Sequence, residues 1–401
     1  MTAKRYDAVV IGAGPAGCAA ALVLARAGAR TLVLDPDPPP REKVCGDGLL
    51  DDAWAEIERL GVAARVERHA FRVRRARLWS PGDVQVSLDV RMRLVPRRLL
   101  DASLLDAVRE AGAQFEPGRA VTALPGAAGV RVETAAGRVW HARVALTATG
   151  ARRSRAPRTA GSPAPSAPQA VAVRRYLRVG RGRDFVTVTY DASVIPGYGW
   201  VFPVGDGLLN VGCGAFRWNP PREGLGRVFD RFLARSPAVA DLARAGTFEG
   251  PLRAAPIRCG PPDRPAVDPG PVLWAGEALG TTYPFTAEGI GPALRSGVRA
   301  GEAAVGFLER GEDALQAYRQ WVAGRLAPIY GAYRTAERWL ARPWLCDLLA
   351  RRARRSPALR QTFVDVLTGT VSPDRVFSPW GLARALLGLG PRHPPAGPSR
   401  G

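Results

Sequence analysis

The sequence predicts an α/β protein: a Rossmann-like nucleotide-binding domain, discontinuous along the chain, with an inserted, mostly antiparallel β-sheet domain and a C-terminal helical region. Three observations carry this. A strand–glycine turn–helix–strand unit opens the chain, strand-like segments dominate 171–215, and the remainder beyond 287 is helical, rich in Trp and Arg.

In the opening unit, YDAVVI (6–11) is a short apolar strand, and the GAGPAG turn leads into CAAALVLARAG, rich in helix formers and closed by Gly28. TLVLD (31–35) is the next strand, ending in Asp35. The glycines let backbone approach a pyrophosphate, the helix N-terminus faces that anion, and the terminal acid accepts from a ribose hydroxyl. A lone G-x-G-x-x-G is weak, but strand, glycines, helix, strand and acid in order are specific. Residues 8–25 carry no charge, the length of a membrane span or a signal segment. Gly12, Gly14, Pro15 and Gly17 break that run in the nucleotide-binding pattern instead, and the expectation is a cytoplasmic protein, or one peripheral on the inner face of the membrane.

DPDPPP (35–40) takes the chain out of the sheet, since proline suits neither helix interior nor central strand. A helix follows around 51–60. RVRRARLWS (72–80) and VQVSLDV (84–90) read as a strand pair around Pro81-Gly82. The stretch 95–112 reads as a helix with Leu100, Leu104, Leu105 and Val108 on its apolar face, and RVETAAG and RVWHARVALTATG return to the nucleotide sheet. SRAPRTAGSPAPSAPQA (154–170) is composed like a linker. Then come VAVRRYLRV, FVTVTY and a hairpin, GYGWVFP–VGDG–LLNVGCG. PVLWAGEALG (271–280) reads as a returning strand and turn, and AEGIGPALRSGVRAGEAAVGFL starts a long helix. The expected organisation is 1–72, 95–168 and 258–310 for the nucleotide domain, 73–94 and 169–257 for the inserted sheet, 311–387 for the helical region and 388–401 for a disordered tail.

Composition narrows the function. The formal net charge of +21 in 401 residues suggests an anionic partner. That charge is spread along the chain, without zinc-finger spacing or Arg-rich helices alternating with aromatics, so nucleic acid is not expected. Cys18, Cys45, Cys213, Cys259 and Cys346 are scattered and odd in number, which fits reduced thiols rather than a disulfide framework. They share no ligand spacing with the three histidines, so no metal is expected. REKVCGDGLL (41–50) stands out because Lys4 and Lys43 are the only lysines.

Four blocks in order, VIGAGPAG, PREKVCGDGL, VPRRLLDASL, and GYGWVFP followed by AGEALGTTYPFTAEGIGPAL, resemble the geranylgeranyl reductase family of FAD-dependent oxidoreductases, on the p-hydroxybenzoate-hydroxylase-like fold. The likeness covers about 5–305. It implies that Gly12, Gly14, Ala16 and Gly17 hold the FAD diphosphate and Asp35 the ribose. It also places Cys45, Gly46 and Gly48 beside the flavin, and adds Arg97, Val121, Glu277, Gly289 and Ile290 to the cofactor set. Gly289 and Ile290 start a helix whose positive end suits the negative charge of a reduced flavin. Cys45, Asp47, Tyr198 and Trp200 are the expected catalytic set. Strand alternation puts Tyr198, Trp200 and Phe202 on one face, a pocket wall for a polyprenyl chain, with Lys43 at its rim.

The chain departs from the family at Thr149-Gly150, Gly276-Glu277 and Thr286-Ala287-Glu288-Gly289-Ile290. The electron donor is therefore open between NAD(P)H, ferredoxin and a quinol. Reduction of prenyl double bonds is the leading expectation. A flavin monooxygenase and a flavin-containing lipid-binding protein without turnover are the alternatives. RWLARPWLCDLLARRARRSPALR adds peripheral membrane contact, weighed against a helical cap with a solvated basic face.

Overall fold

The computed structural model describes residues 5–151, 156–159, 167–192, 194–195, 197–216, 223–260, 270–368, 371–373 and 376–387. Part of the expected linker at 154–170 and the whole expected tail at 388–401 lie outside the described residues.

In chain order the first elements are β1 (Arg5–Ile11), α1 (Pro15–Arg26), β2 (Thr31–Asp35), β3 (Gly48–Leu49), α2 (Asp51–Arg59), α3 (Ala63–Glu67), β4 (Phe71–Trp79), β5 (Gln85–Leu94) and α4 (Arg97–Glu110). There follow β6 (Gln114–Pro117), β7 (Ala120–Gly126), β8 (Gly129–Thr134), β9 (Val139–Thr147), β10 (Ala170–Arg178), β11 (Phe185–Thr189), β12 (Gly197–Gly205) and β13 (Leu208–Phe216). Next are α5 (Leu225–Arg235), α6 (Ala240–Ala245), β14 (Thr247–Ile257) and β15 (Val272–Trp274). The helical end comprises α7 (Ile290–Arg310), α8 (Asp313–Trp321), α9 (Ala327–Leu340), α10 (Pro343–Arg355), α11 (Pro357–Leu367) and α12 (Pro379–Leu386).

One sheet runs β6-β2-β1-β9-β8-β7, with β15 also on β9. β1 is parallel to both β2 and β9 and fully buried from Ala8 to Ile11, which is why that end reads as an unbroken apolar run. Its carboxyl end therefore opens between two neighbours, where α/β sheets bind ligands. α1 and α7 pack closely on one face, because Gly297 leaves room for the backbone of Ala16.

The second sheet runs β14-β10-β13-β12-β11-β4-β5-β3. It gathers strands from both sides of α4, joined by the parallel pair β11–β4. β3 was not expected there: Gly48 pairs with Leu94 of β5, so REKVCGDGLL crosses from one sheet to the other. Asp47, at φ 64, makes that crossing turn. The β12–β13 hairpin closes on Asp206 (φ 49) and Gly207 (φ 69), both left-handed as a tight two-residue turn requires. Among the described residues no helix is long and apolar enough to cross a membrane.

Candidate cofactor and substrate site

A pocket of about 550 Å³ lies where the two sheets meet, between the end of β1 and strands β10, β12, β13 and β14. Gly12, at φ 112, sits so close to Ala148 that a Cβ would stand 2.3 Å from that carbonyl oxygen, and at Gly17 a Cβ would lie 1.8 Å from the oxygen of Gly12. These two glycines serve the tight strand–helix turn and do not line the pocket. Gly14 differs: it does line the pocket, and a Cβ there would meet nothing within 4 Å. The N-terminus of α1 thus faces open space, as an anion site requires.

Asp35 ends β2 with its carboxylate fixed. One oxygen accepts from the Ala13 amide at 2.8 Å, the other from the Asp37 amide and from Arg41. Arg97 grips Asp101 through two hydrogen bonds of 2.8 Å, both residues buried. Burial opposes the Arg97 charge, but the Asp101 carboxylate outweighs it and holds the guanidinium above its ordinary pKa. Arg41 and Arg97 both line the pocket, and so does Thr149, whose Oγ1 is buried with no hydrogen-bond partner among the described residues. An amide-lined helix end, two guanidinium groups and a partnerless hydroxyl fit the diphosphate and ribityl parts of FAD. The residues present therefore suit the group.

The other half of the pocket is aromatic. Tyr198, Trp200 and Phe202 all line it, together with Cys45 and Gly46. The Phe202 ring comes within 3.0 Å of where a Cβ of Gly46 would be. Tyr198 donates to the Thr286 carbonyl at 2.5 Å, and burial pushes its phenol up, so it stays neutral. Cys45 is also pushed up by burial, with Arg97 and Lys43 acting the other way, which keeps it a thiol. Lys43 reaches the rim but is tied to Glu277, Nζ to Oε2 at 3.2 Å. Glu277, Gly289, Ile290 and Ala16 also line the pocket.

Besides Gly12 and Gly17, three further expected residues fall elsewhere. Asp47 is fully buried behind the pocket wall, accepting from the Arg97 amide (3.1 Å), Tyr176 Oη (2.8 Å) and Asn210 Nδ2 (2.7 Å). Burial pushes its pKa up while the Tyr176 and Asn210 hydrogen bonds oppose that. Asp47 is a brace rather than a group in contact with the pocket. Gly48 packs on Met92 within the second sheet, and Val121 sits on β7; neither lines the pocket. Sequence reasoning missed Asn210. Its amide donates to Asp47 and to the Cys45 carbonyl (2.8 Å), and its oxygen accepts from Trp200 Nε1 (2.9 Å). A lone amide inside the apolar LLNVGCG was the available signal.

Beyond Tyr198 the wall continues through Tyr190, stacked on Phe285 at 6.2 Å between centroids. Behind these rings lies a second cavity of about 70 Å³, apolar and lined by residues such as Leu78, Leu349, Phe363, Val366 and Phe377.

The chain is similar to several known proteins. The family described as an FAD binding domain matches residues 5–138. A menaquinone reductase of Mycobacterium tuberculosis is 30% identical over 97% of this chain and 98% of its own. That of Mycolicibacterium smegmatis is 33% identical, over 53% of this chain and about half (55%) of its own length. Digeranylgeranylglycerophospholipid reductase 1 of Methanopyrus kandleri is 30% identical over 79% of this chain and 85% of its own. Among solved structures, a geranylgeranyl bacteriochlorophyll reductase-like protein from Thermoplasma acidophilum superposes with a TM-score of 0.76 at 20% identity, covering 93% of this chain and 98% of that one, a likeness of fold.

Proposed function

The chain belongs to the geranylgeranyl reductase family of FAD-dependent oxidoreductases, and from that premise we propose that it reduces carbon–carbon double bonds of a polyprenyl chain. Menaquinone and digeranylgeranylglycerophospholipid, which the relatives' names give as substrates, have such chains in common. The observation that carries the reading is the pocket's composition: a dinucleotide cradle at one end and an aromatic wall at the other, continued by Tyr190 and Phe285, which line an apolar cavity.

FAD, when bound, supplies the hydride. The work of the chain is orientation and exclusion of water. Tyr198, Trp200 and Phe202 form an aromatic wall against which a prenyl unit lies. The Asn210 amide fixes Trp200 and the Cys45 backbone at once, so the Cys45 thiol is held at a set place on that wall. A thiol kept protonated by burial is suited to hold a proton at Sγ for the carbon that does not take the hydride. The N-terminus of α7, at Gly289–Ile290, offers positive potential to negative charge on the cofactor side. NAD(P)H or ferredoxin is the proposed donor, lipid metabolism the setting and peripheral membrane contact the mode of access. The division into nucleotide, sheet and helical regions belongs to the same proposal.

The test compares prenyl lipids by mass in cells making the wild-type protein and a Gly14→Glu variant. Glutamate at Gly14 enters the pocket, not the packing, so it blocks the cofactor while leaving the fold. Added pairs of hydrogens on a prenyl chain, with the quinone or headgroup unchanged, are expected. A gain of oxygen instead moves the protein to the monooxygenases; wild-type and variant lipids that match point to binding without turnover.

A further inference from the structure

The three most exposed large hydrophobic side chains among the described residues are Trp344 (61%), Trp380 (82%) and Leu387 (74%); the next reach only 39%. All three belong to the C-terminal helical end. In α10 the buried positions Leu345, Cys346, Leu349, Ala350 and Ala353 face inward. The opposite stripe, at helical spacing, is Trp344, Leu348, Arg351 and Arg355. On α12 Gly381 is buried, while Trp380, Ala383 and the following Leu387 are exposed along one stripe. The two helices touch.

Position adds a second argument. Cys346, Leu349 and Ala350 of α10 and Phe377, just before α12, line the apolar cavity behind Tyr190 and Phe285. Trp344 stands two residues from Cys346, and Trp380 three from Phe377. The exposed stripe of α10 therefore lies on the outer side of a helix that walls the cavity, and α12 follows directly on another lining residue, Phe377.

Charge decides the occupant. Arg338, Arg342, Arg351, Arg352, Arg354 and Arg355 are exposed on α9, α10 and the short link between them. Asp347, the one acid of α10, is drawn inward by Ser80 Oγ (2.6 Å) and the Gly82 amide (2.7 Å). A two-fold contact with a second copy would set these arginines against their own images. An anionic bilayer offers phosphates to the arginines and an acyl boundary to the tryptophans.

We propose that the outer faces of α10 and α12 dock on an anionic lipid bilayer, Trp344, Trp380 and Leu387 entering the interface while the α10 arginines meet lipid phosphates. Docking sets the apolar cavity against the lipid phase, from which a prenyl chain enters without crossing water. That purpose rests on the reading of the site as a prenyl reductase; the docking itself does not.

The test is co-sedimentation of the full, flavin-loaded chain with vesicles of phosphatidylcholine alone or mixed with phosphatidylglycerol, without substrate or reductant. Binding to the mixed vesicles only, weakened by salt, is expected. A Trp344→Ser/Trp380→Ser double variant should bind at least about tenfold more weakly with an unchanged melting temperature, since both side chains stand in solvent. Equal binding of the double variant, or no binding by the wild type, overturns the proposal. So does a concentration-dependent dimer that the double substitution dissolves, because the stripes then cover a second copy. Since no turnover is involved, failure here leaves the reductase reading standing, and failure of that reading leaves the docking result intact.

Discussion

Asn210 ties three parts of the site together with one side chain: the Trp200 indole, the Asp47 carboxylate and the Cys45 carbonyl. Replacing it by leucine keeps the volume but strands each partner in the interior. Asn210→Leu should cost about 2–4 kcal/mol in denaturant unfolding, the scale expected when buried polar groups lose their partners. A loss under about 1 kcal/mol would mean that the network relaxes or admits water. No motif marks such a residue; it acquires its role only when the hairpin register sets it opposite Phe202. Arg97 is the contrary case, since its partner Asp101 lies one helical turn on and is visible in the sequence. A second residue makes a pH-dependent prediction. Burial first, and then the neighbouring Asp52 carboxylate, push Glu288 well above its ordinary pKa, with Arg295 opposing. A raised carboxyl favours the protonated fold. Its contribution is complete below the usual glutamate range and is lost as pH climbs towards the folded-state pKa. Glu288→Gln is permanently neutral, so its melting temperature should gain on the wild type steadily across the pH range above the usual glutamate pKa. A constant gap across that range would remove Glu288 as the titrating group.

Between elements, the loop before α7 shows how a departure from a family pattern acquires meaning. Ala287 takes φ 50 and Phe285 φ 71, both in the left-handed region. Glycine, usual at the first of these positions in the resembling pattern, adopts that conformation freely; alanine pays for its methyl group with roughly 1 kcal/mol. Part of this is offset by the greater freedom glycine loses on folding, about 0.5–1 kcal/mol. Ala287→Gly should therefore be neutral to mildly stabilising, by up to about 0.5 kcal/mol, with an unchanged flavin spectrum. Clear destabilisation would show that the Ala287 methyl, which lines the pocket, supports its wall. The hairpin turn was legible because Asp-Gly between two apolar strands permits few alternatives, and Asp206-Gly207 forms it. β3 was not legible: two residues carry no periodicity, and its partner β5 lies more than forty positions away.

At the scale of the molecule, the pocket belongs to neither sheet. Its cradle comes from the ends of β1 and β2, its aromatic wall from β12, and REKVCGDGLL runs between them as the strap on which Lys43, Cys45 and Asp47 are mounted. This explains why an isolated lysine stands there: it closes the strap onto Glu277, more than two hundred residues on. Order along the sequence revealed the blocks, but only three-dimensional pairing could divide them into cradle, wall and brace. A cofactor filling this junction touches both sheets and binds the native state alone, so it must stabilise them together. At free FAD one hundred times its dissociation constant the gain is about 2.7 kcal/mol. The apo-protein's melting temperature should rise on adding FAD, with near- and far-ultraviolet dichroism moving in one step. Gly14→Glu apo-protein should melt with the wild type, since nothing surrounds that Cβ, yet show no rise with FAD. If FAD still stabilised the variant, the cofactor would have to lie elsewhere than above the N-terminus of α1. If the variant already melted early without FAD, Gly14 would serve the fold as Gly12 and Gly17 do, and the pocket assignment would need a different probe residue, Thr149→Val, whose hydroxyl faces the same space.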